Sequence, residues 1–168
     1  MTKYSLSVTI FLAITLAIIG PGRSLAGTAT ASLAVSATVD AVCSITTTPL
    51  TFPDYLELGA NQTTPDDGTG TITATCTAGA APTIGLSLGA NSTGTQAQMT
   101  NGVSYLAYGI YQDANRTIVW GNAAPNLRSL GTVPNNNPQL ITVYGRIPAG
   151  QAPQSGAYTD TVQATINF

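Results

Sequence analysis

From Tyr158 onward the sequence keeps a period of two. Tyr158, Val162, Ala164, Ile166 and Phe168 fall on one side, and Thr159, Thr161, Gln163, Thr165 and Asn167 on the other; Asp160 alone interrupts the apolar set. Residues two apart share a face only in an extended chain, so this is the pattern of a half-buried β-strand. No further strand follows it in the sequence, which predicts a place at a sheet edge. A long, flat, uncharged edge is an aggregation hazard unless something covers it.

The same period recurs along the chain. Ala29, Ala31, Leu33, Val35, Ala37 and Val39 alternate with polar or small residues. Leu50 and Phe52 predict a short strand that Pro53 ends. Thr69–Thr77 places Ile72, Ala74 and Cys76 opposite threonines, and Thr83–Gly89 does the same with Ile84, Leu86 and Leu88. Tyr105–Gln112 is apolar on both faces, as in a central strand. Asp113-Ala114-Asn115-Arg116 is a turn that makes a hairpin with Thr117–Trp120. Leu140–Ile147 is the strand before the last. The segments between, Gly59–Gly68, Ala90–Gly102 and Asn122–Pro138, are rich in Gly, Asn, Pro and Thr. No helical period and no internal repeat appears in this region. Short, regularly spaced strands predict an all-β sandwich of about seven strands.

The first residues differ in kind. Lys3 precedes an apolar run, Val8–Ile19, then Gly20-Pro21-Gly22 and the small-residue site Ser24-Leu25-Ala26. This predicts a secretory signal at residues 1–26, cleaved after Ala26, because the run is short for a spanning helix. The 168 residues then divide into that signal, an arm at 27–36 and one domain at 37–168. The expected mature chain carries no Lys and no His. Its three arginines (Arg116, Arg128, Arg146) face seven acids, a net charge of −4. Nucleic acid and anionic lipid are poor partners for such a chain, and no membrane insertion is expected after cleavage.

Cys43 and Cys76 are the only cysteines. In an exported protein two cysteines most simply form one disulfide. Two cysteines without His make a poor zinc site, and their spacing is not that of a redox pair. With no His, no Lys and no free thiol, groups for nucleophilic or acid–base catalysis are scarce, and neither an enzyme, a cofactor nor a metal is expected. Asp66-Asp67 is the one acidic pair. It sits in a TTPDDGTG stretch, where a turn outweighs a calcium loop because alternating acidic ligands are missing. Asn61-Gln62-Thr63 and Asn91-Ser92-Thr93 fit the N-glycosylation triplet, against the plainer reading of solvated loops. Trp120 and the tyrosines are read as core rather than as a sugar platform.

The stretch Thr28–Val35 lies before the first cysteine. Ala29, Ala31, Leu33 and Val35 form its inward set, with Thr28, Thr30, Ser32 and Ser36 opposite. Two readings stay open. The arm folds back as a strand of its own domain, or it fills a groove on another copy beside the last strand, with Tyr158, Val162, Ala164, Ile166 and Phe168 as groove edge.

Several blocks in order resemble the spore coat protein U domain family, some of whose members are archaic chaperone–usher pilins. They are TPLTFPDY (Thr48–Tyr55), GTITATCTAG (Gly70–Gly79), TIGLSLGAN (Thr83–Asn91), MTNG (Met99–Gly102), YLAYGIYQDANRTIVWG (Tyr105–Gly121), and LITVYGRIPAGQ (Leu140–Gln151) with GAYTDTVQATINF. The resemblance implies an incomplete Ig-like sandwich lacking its last strand and an N-terminal donor-strand arm. It implies as partners copies of itself or related pilin subunits, a periplasmic chaperone and an outer-membrane usher. The expected product is a surface pilus supporting attachment and biofilm formation. The alternatives are a monomeric secreted binding module and a spore-coat or extracellular-matrix protein.

Overall fold

The structure, a computed structural model, describes residues 26–168. The signal expected at 1–26 lies outside the described residues, apart from Ala26. Residues 26–37 form no strand and are exposed throughout. Leu33 and Val35 are each 88% exposed. Thr38–Phe168 is a compact unit. No helix among the described residues is long and apolar enough to cross a membrane.

The compact unit holds eight strands: β1 (Cys43–Thr51), β2 (Asp66–Cys76), β3 (Thr83–Leu86), β4 (Ala97–Thr100), β5 (Tyr105–Tyr111), β6 (Arg128–Ser129), β7 (Gln139–Ile147) and β8 (Ala164–Asn167). They make a five-stranded sheet in the order β1-β2-β7-β5-β4 and a three-stranded sheet in the order β6-β3-β8. Every pairing is antiparallel. The sheets share one core. Ile72 and Ala74 of β2, Leu106, Tyr108 and Ile110 of β5, and Ile141, Val143 and Ile147 of β7 meet Ile84 and Leu86 of β3. Trp120 is buried there too, its indole N–H donating to the Ile84 carbonyl at 2.9 Å. It is a core residue, as the alternation required.

The strand bounds depart from the sequence reading in informative places. The Leu50–Phe52 strand starts much earlier, at Cys43. Asp66 and Asp67 are not a turn but the first residues of β2, paired with Ile147 and Arg146 of β7. Turn-forming residues were outvoted by a ladder whose other half lies some eighty positions later, and Asp67 gains a forked bond from Arg146 at 2.7 and 2.9 Å. The Thr117–Trp120 half of the hairpin keeps only a single bridge, Tyr111 to Val119. Its turn is built as expected: Asp113 accepts from the Thr117 and Ile118 amides, and Arg116 takes φ 58°. β5 is flanked by β7 and β4, yet Tyr105 on its other face is exposed.

The disulfide Cys43–Cys76 joins β1 to β2 where the two residues stand opposite each other. At the other end of this pair the register slips between Thr48 and Thr51. Three glycines explain where the slipped chain goes. Gly68 and Gly70 of β2 and Gly145 of β7 sit side by side in the ladder. A Cβ on Gly70 would lie 2.9 Å from the Leu50 Cα, and one on Gly145 2.6 Å from the Phe52 ring. The bare backbone thus forms a flat bed, and Leu50 and Phe52 lie on it, packed against the core.

Candidate functional site

The last segment does not stay in one sheet. At Thr159 it exchanges both backbone hydrogen bonds with Thr100 of β4, each 3.0 Å. From Thr161 it belongs to the other sheet: the Thr161 and Gln163 carbonyls accept from Ala90 and Ser87, and β8 then pairs with β3. Asp160 stands at the crossing. One carboxylate oxygen accepts from the Asn91 amide at 3.1 Å, the Asn91 side chain at 3.0 Å and the Thr161 amide at 2.8 Å. The other accepts from the Tyr108 hydroxyl at 2.7 Å. Burial and the facing carboxylate push the Tyr108 hydroxyl far above its usual range, so it stays a donor. Gly89, at φ 95°, leaves the space that Asp160 occupies. The residue that broke the apolar face in sequence is the pin that turns the strand.

Side chains of this segment alternate as the sequence predicted. Tyr158, Val162, Ala164 and Ile166 are half-buried against the core, while Phe168 is 59% exposed. None reaches full burial, and the reason is the free edge. β8 pairs with β3 on one side only, and β1 is likewise the outer strand of its sheet. Between them runs a groove of about 390 Å³. Thr47, Pro49 and Leu50 line one wall, and Thr159–Val162 with Ala164 the other. Ile72, Leu86, Tyr108, Ile110 and Val143 form the floor. A wider cavity of about 1220 Å³ adjoins it, sharing Leu50, Phe52, Met99 and Tyr158 and adding Leu56 and Leu58. Ile166 lies outside the groove and packs beside Cys43, Cys76 and Val133.

The backbone of β8 is oriented for pairing. Gln163 and Thr161 direct their carbonyls toward β3. By the alternation of an antiparallel ladder, Val162, Ala164 and Ile166 direct theirs to the open side. The groove therefore offers unpaired main-chain groups above half-buried apolar side chains.

Other marked residues take structural positions. Asn61 is buried, its side chain accepting from the Leu56 amide and donating to the Thr64 carbonyl, so its glycosylation triplet is a folded turn. The Asn91 side chain is committed to Asp160. Asp67 is held below the usual carboxylate range, first by its bond from Arg146. No group of three or more His, Cys, Asp or Glu side chains fit to hold a metal ion occurs among the described residues. The sequence reading missed the roles of Asp160, Asn91 and the glycine bed. The only signal for the first was its place on an apolar face.

Fold and groove together define an antiparallel sandwich with an open seam between its two sheets. The family model described as Spore Coat Protein U domain matches residues 29–165, and the chain belongs to that family. Protein U of Myxococcus xanthus is 38% identical over 158 residues, covering 85% of this chain and 87% of that protein. Among solved structures, the chain is similar to the CsuC–CsuE chaperone–tip adhesion subunit pre-assembly complex from archaic chaperone–usher Csu pili of Acinetobacter baumannii. The TM-score is 0.55 at 22% identity over 78% of this chain, a likeness of fold. The match spans 40% of the chain in that structure.

Proposed function

We propose that this chain is a structural, non-catalytic subunit of a surface pilus, assembled by donor-strand exchange through a chaperone–usher pathway. The observation that carries it is the seam itself: two free strand edges flank a groove lined by half-buried apolar side chains. The Tyr158–Ala164 wall is as long as the arm stretch Ala29–Val35. An extended chain laid there adds a strand to β8 and seats alternate side chains over the core. Leu33 and Val35 are the largest inward candidates, and burying each stabilises by about 1.5–3 kcal/mol. One arm and one groove per copy make a head-to-tail contact, which propagates into a filament when it does not close. The domain is then 37–168, the donor arm 27–36, and the route runs through the periplasm to the cell surface, with chaperone and usher as partners and attachment and biofilm formation as outcome. The likeness to the Csu complex supports the pathway; the family's description favours, as a second reading, a spore or extracellular coat assembled by the same exchange.

The test compares Leu33→Asp with Ser32→Asp. A carboxylate driven into the groove costs several kcal/mol, while the neighbouring residue points to the other face. Unboiled detergent extracts should show a ladder of multimers for the unmodified chain and Ser32→Asp, and none for Leu33→Asp. A single band for the unmodified chain would contradict the proposal. Electron microscopy of the cell surface separates fibre from coat.

A further inference from the structure

We propose that the outer face of the five-stranded sheet carries a binding site for an acidic polysaccharide, built on Tyr111, Tyr144, Arg116 and Arg146. The site lies on the other side of the sheet from the groove and stands apart from the exchange reading.

Strand register brings the site together. Asp67 of β2, Arg146 of β7 and Gly109 of β5 stand in one row across the sheet, and Thr69, Tyr144 and Tyr111 in the next. Opposed residues share a face, as do residues two apart on a strand, so all six belong to one face. It is the face turned away from Ile110, Val143 and Ile147, which lie in the core. Tyr111 and Tyr144 are therefore not core, as the sequence reading had them, and both are only half-buried. Gly109 makes room for one of them. A Cβ there would lie 2.6 Å from the Tyr111 hydroxyl oxygen and 2.9 Å from two of its ring carbons, so this ring lies over bare backbone. Arg116 comes across from the turn after β5. Its guanidinium carbon is 5.8 Å from the centre of the Tyr144 ring, and its Nε is 3.1 Å from the Asp67 carboxylate.

The charges and the rings set the ligand. From residue 27 onward three arginines face seven acids, yet two of the three meet here over a single carboxylate, Asp67. Asp113, at the start of the turn, spends its charge on the Thr117 amide and hydroxyl and the Ile118 amide. Among the described residues, Nη1 of Arg146, Nη2 of Arg116 and both tyrosine hydroxyls donate no hydrogen bond to the protein. The result is a local excess of positive charge with unused donors, on a chain whose overall charge repels anions. An acidic group complements this spot and no other surface of the chain attracts it. The guanidinium fork already fits a carboxylate, as its two bonds to Asp67 show. Two adjacent half-exposed rings add an apolar surface with polar tips, which takes the C–H face of a sugar ring while its hydroxyls bond at the edges. An acidic peptide would use the charge and leave the rings idle. A chain of carboxylate-bearing sugars uses both.

Retention on coated beads reads the site. The full chain is offered beads carrying polygalacturonate, polyglutamate or dextran. It should be held by polygalacturonate and not by the other two, and less so as salt rises from about 0.05 to about 0.5 M. Asp67→Asn leaves both guanidiniums without their acid and should raise retention about threefold, whereas a purely structural ion pair predicts no gain. Arg146→Gln and Tyr144→Thr should each lower it by about as much. Thr69→Arg, at an exposed position opposite Tyr144, adds a cation without touching the ion pair; it should raise retention too, and serves if Asp67→Asn fails to fold. Trp120 fluorescence checks the fold of every variant. Equal retention on polyglutamate would overturn the saccharide, and equal retention on dextran the role of the carboxylate. No retention on any support would overturn the site itself. Retention on polygalacturonate that neither Asp67→Asn nor Thr69→Arg moves would place the binding elsewhere and overturn the assignment.

Discussion

Replacing Asp160 with Ala should loosen the groove wall by an amount the structure allows one to work out. Four donors lose their acceptor: the Tyr108 hydroxyl, the Asn91 amide and side chain, and the Thr161 amide. Tyr108 is only 3% exposed, and an orphaned buried donor costs about 1–3 kcal/mol. The other donors lie nearer solvent and lose about 0.5–1.5 kcal/mol per bond at most. The expected loss is about 3 kcal/mol. With a urea slope of about 1–3 kcal/mol per molar, the midpoint falls by about 1–3 M. Trp120, the single tryptophan and fully buried, reports the transition by fluorescence. The decisive comparison is a double-mutant cycle. Tyr108→Phe alone should cost about 1 kcal/mol, because Asp160 keeps three donors. In the Asp160→Ala background the same change should cost nothing or restore stability, because it removes the orphan. An unchanged midpoint in Asp160→Ala, or additive losses in the double mutant, would refute the pinning argument.

Three other expectations follow from the fold. Gly68→Ala drives a methyl into the Thr51 carbonyl and the Phe52 ring, so it should lower stability by about 1–3 kcal/mol and reduce multimer yield, checked by urea unfolding and unboiled gels. Cys76→Ser opens a disulfide between residues 33 positions apart, and stability should fall by about 3–4 kcal/mol, matched by the unmodified chain under reductant. Asp66 is buried with one oxygen unpartnered, and burial raises its carboxyl above the ordinary value. The folded state therefore binds this proton more tightly than the unfolded chain, so stability from this group is full below the unfolded carboxylate value near 3.9 and is lost as pH rises through the raised folded value. Asp66→Asn should raise the urea midpoint at pH 7, with the gain shrinking toward pH 4; a lower midpoint at pH 7 would contradict the sign.

The period-two stretches of β2, β3, β7 and the last segment were legible because a sheet with one buried face writes its pattern locally. What stayed hidden depends on partners far along the chain. Asp66-Asp67 carries the composition of a turn, and only β7, with Arg146, makes it a strand. Asp160 looks like a flaw in an apolar face until Tyr108 and Asn91, some 50 and 70 positions away, are brought to it. Gly68, Gly70 and Gly145 signal nothing singly, and their meaning lies in the Leu50–Phe52 segment laid across them. The alternation of the last segment, which forms one wall of the groove, was legible. The groove's floor and its polar pin were not, because the floor is drawn from β2, β3, β5 and β7 and the pin joins Asp160 to Tyr108 and Asn91.

The most direct measurement of the central claim is an electron cryo-microscopy map of the assembled fibre, at a resolution that traces main chain. The account predicts an extended strand between β1 and β8, carrying residues 29–35 and continuous with the body of the neighbouring copy. A groove filled by residues 29–35 of the same copy, or left empty in the fibre, would contradict it.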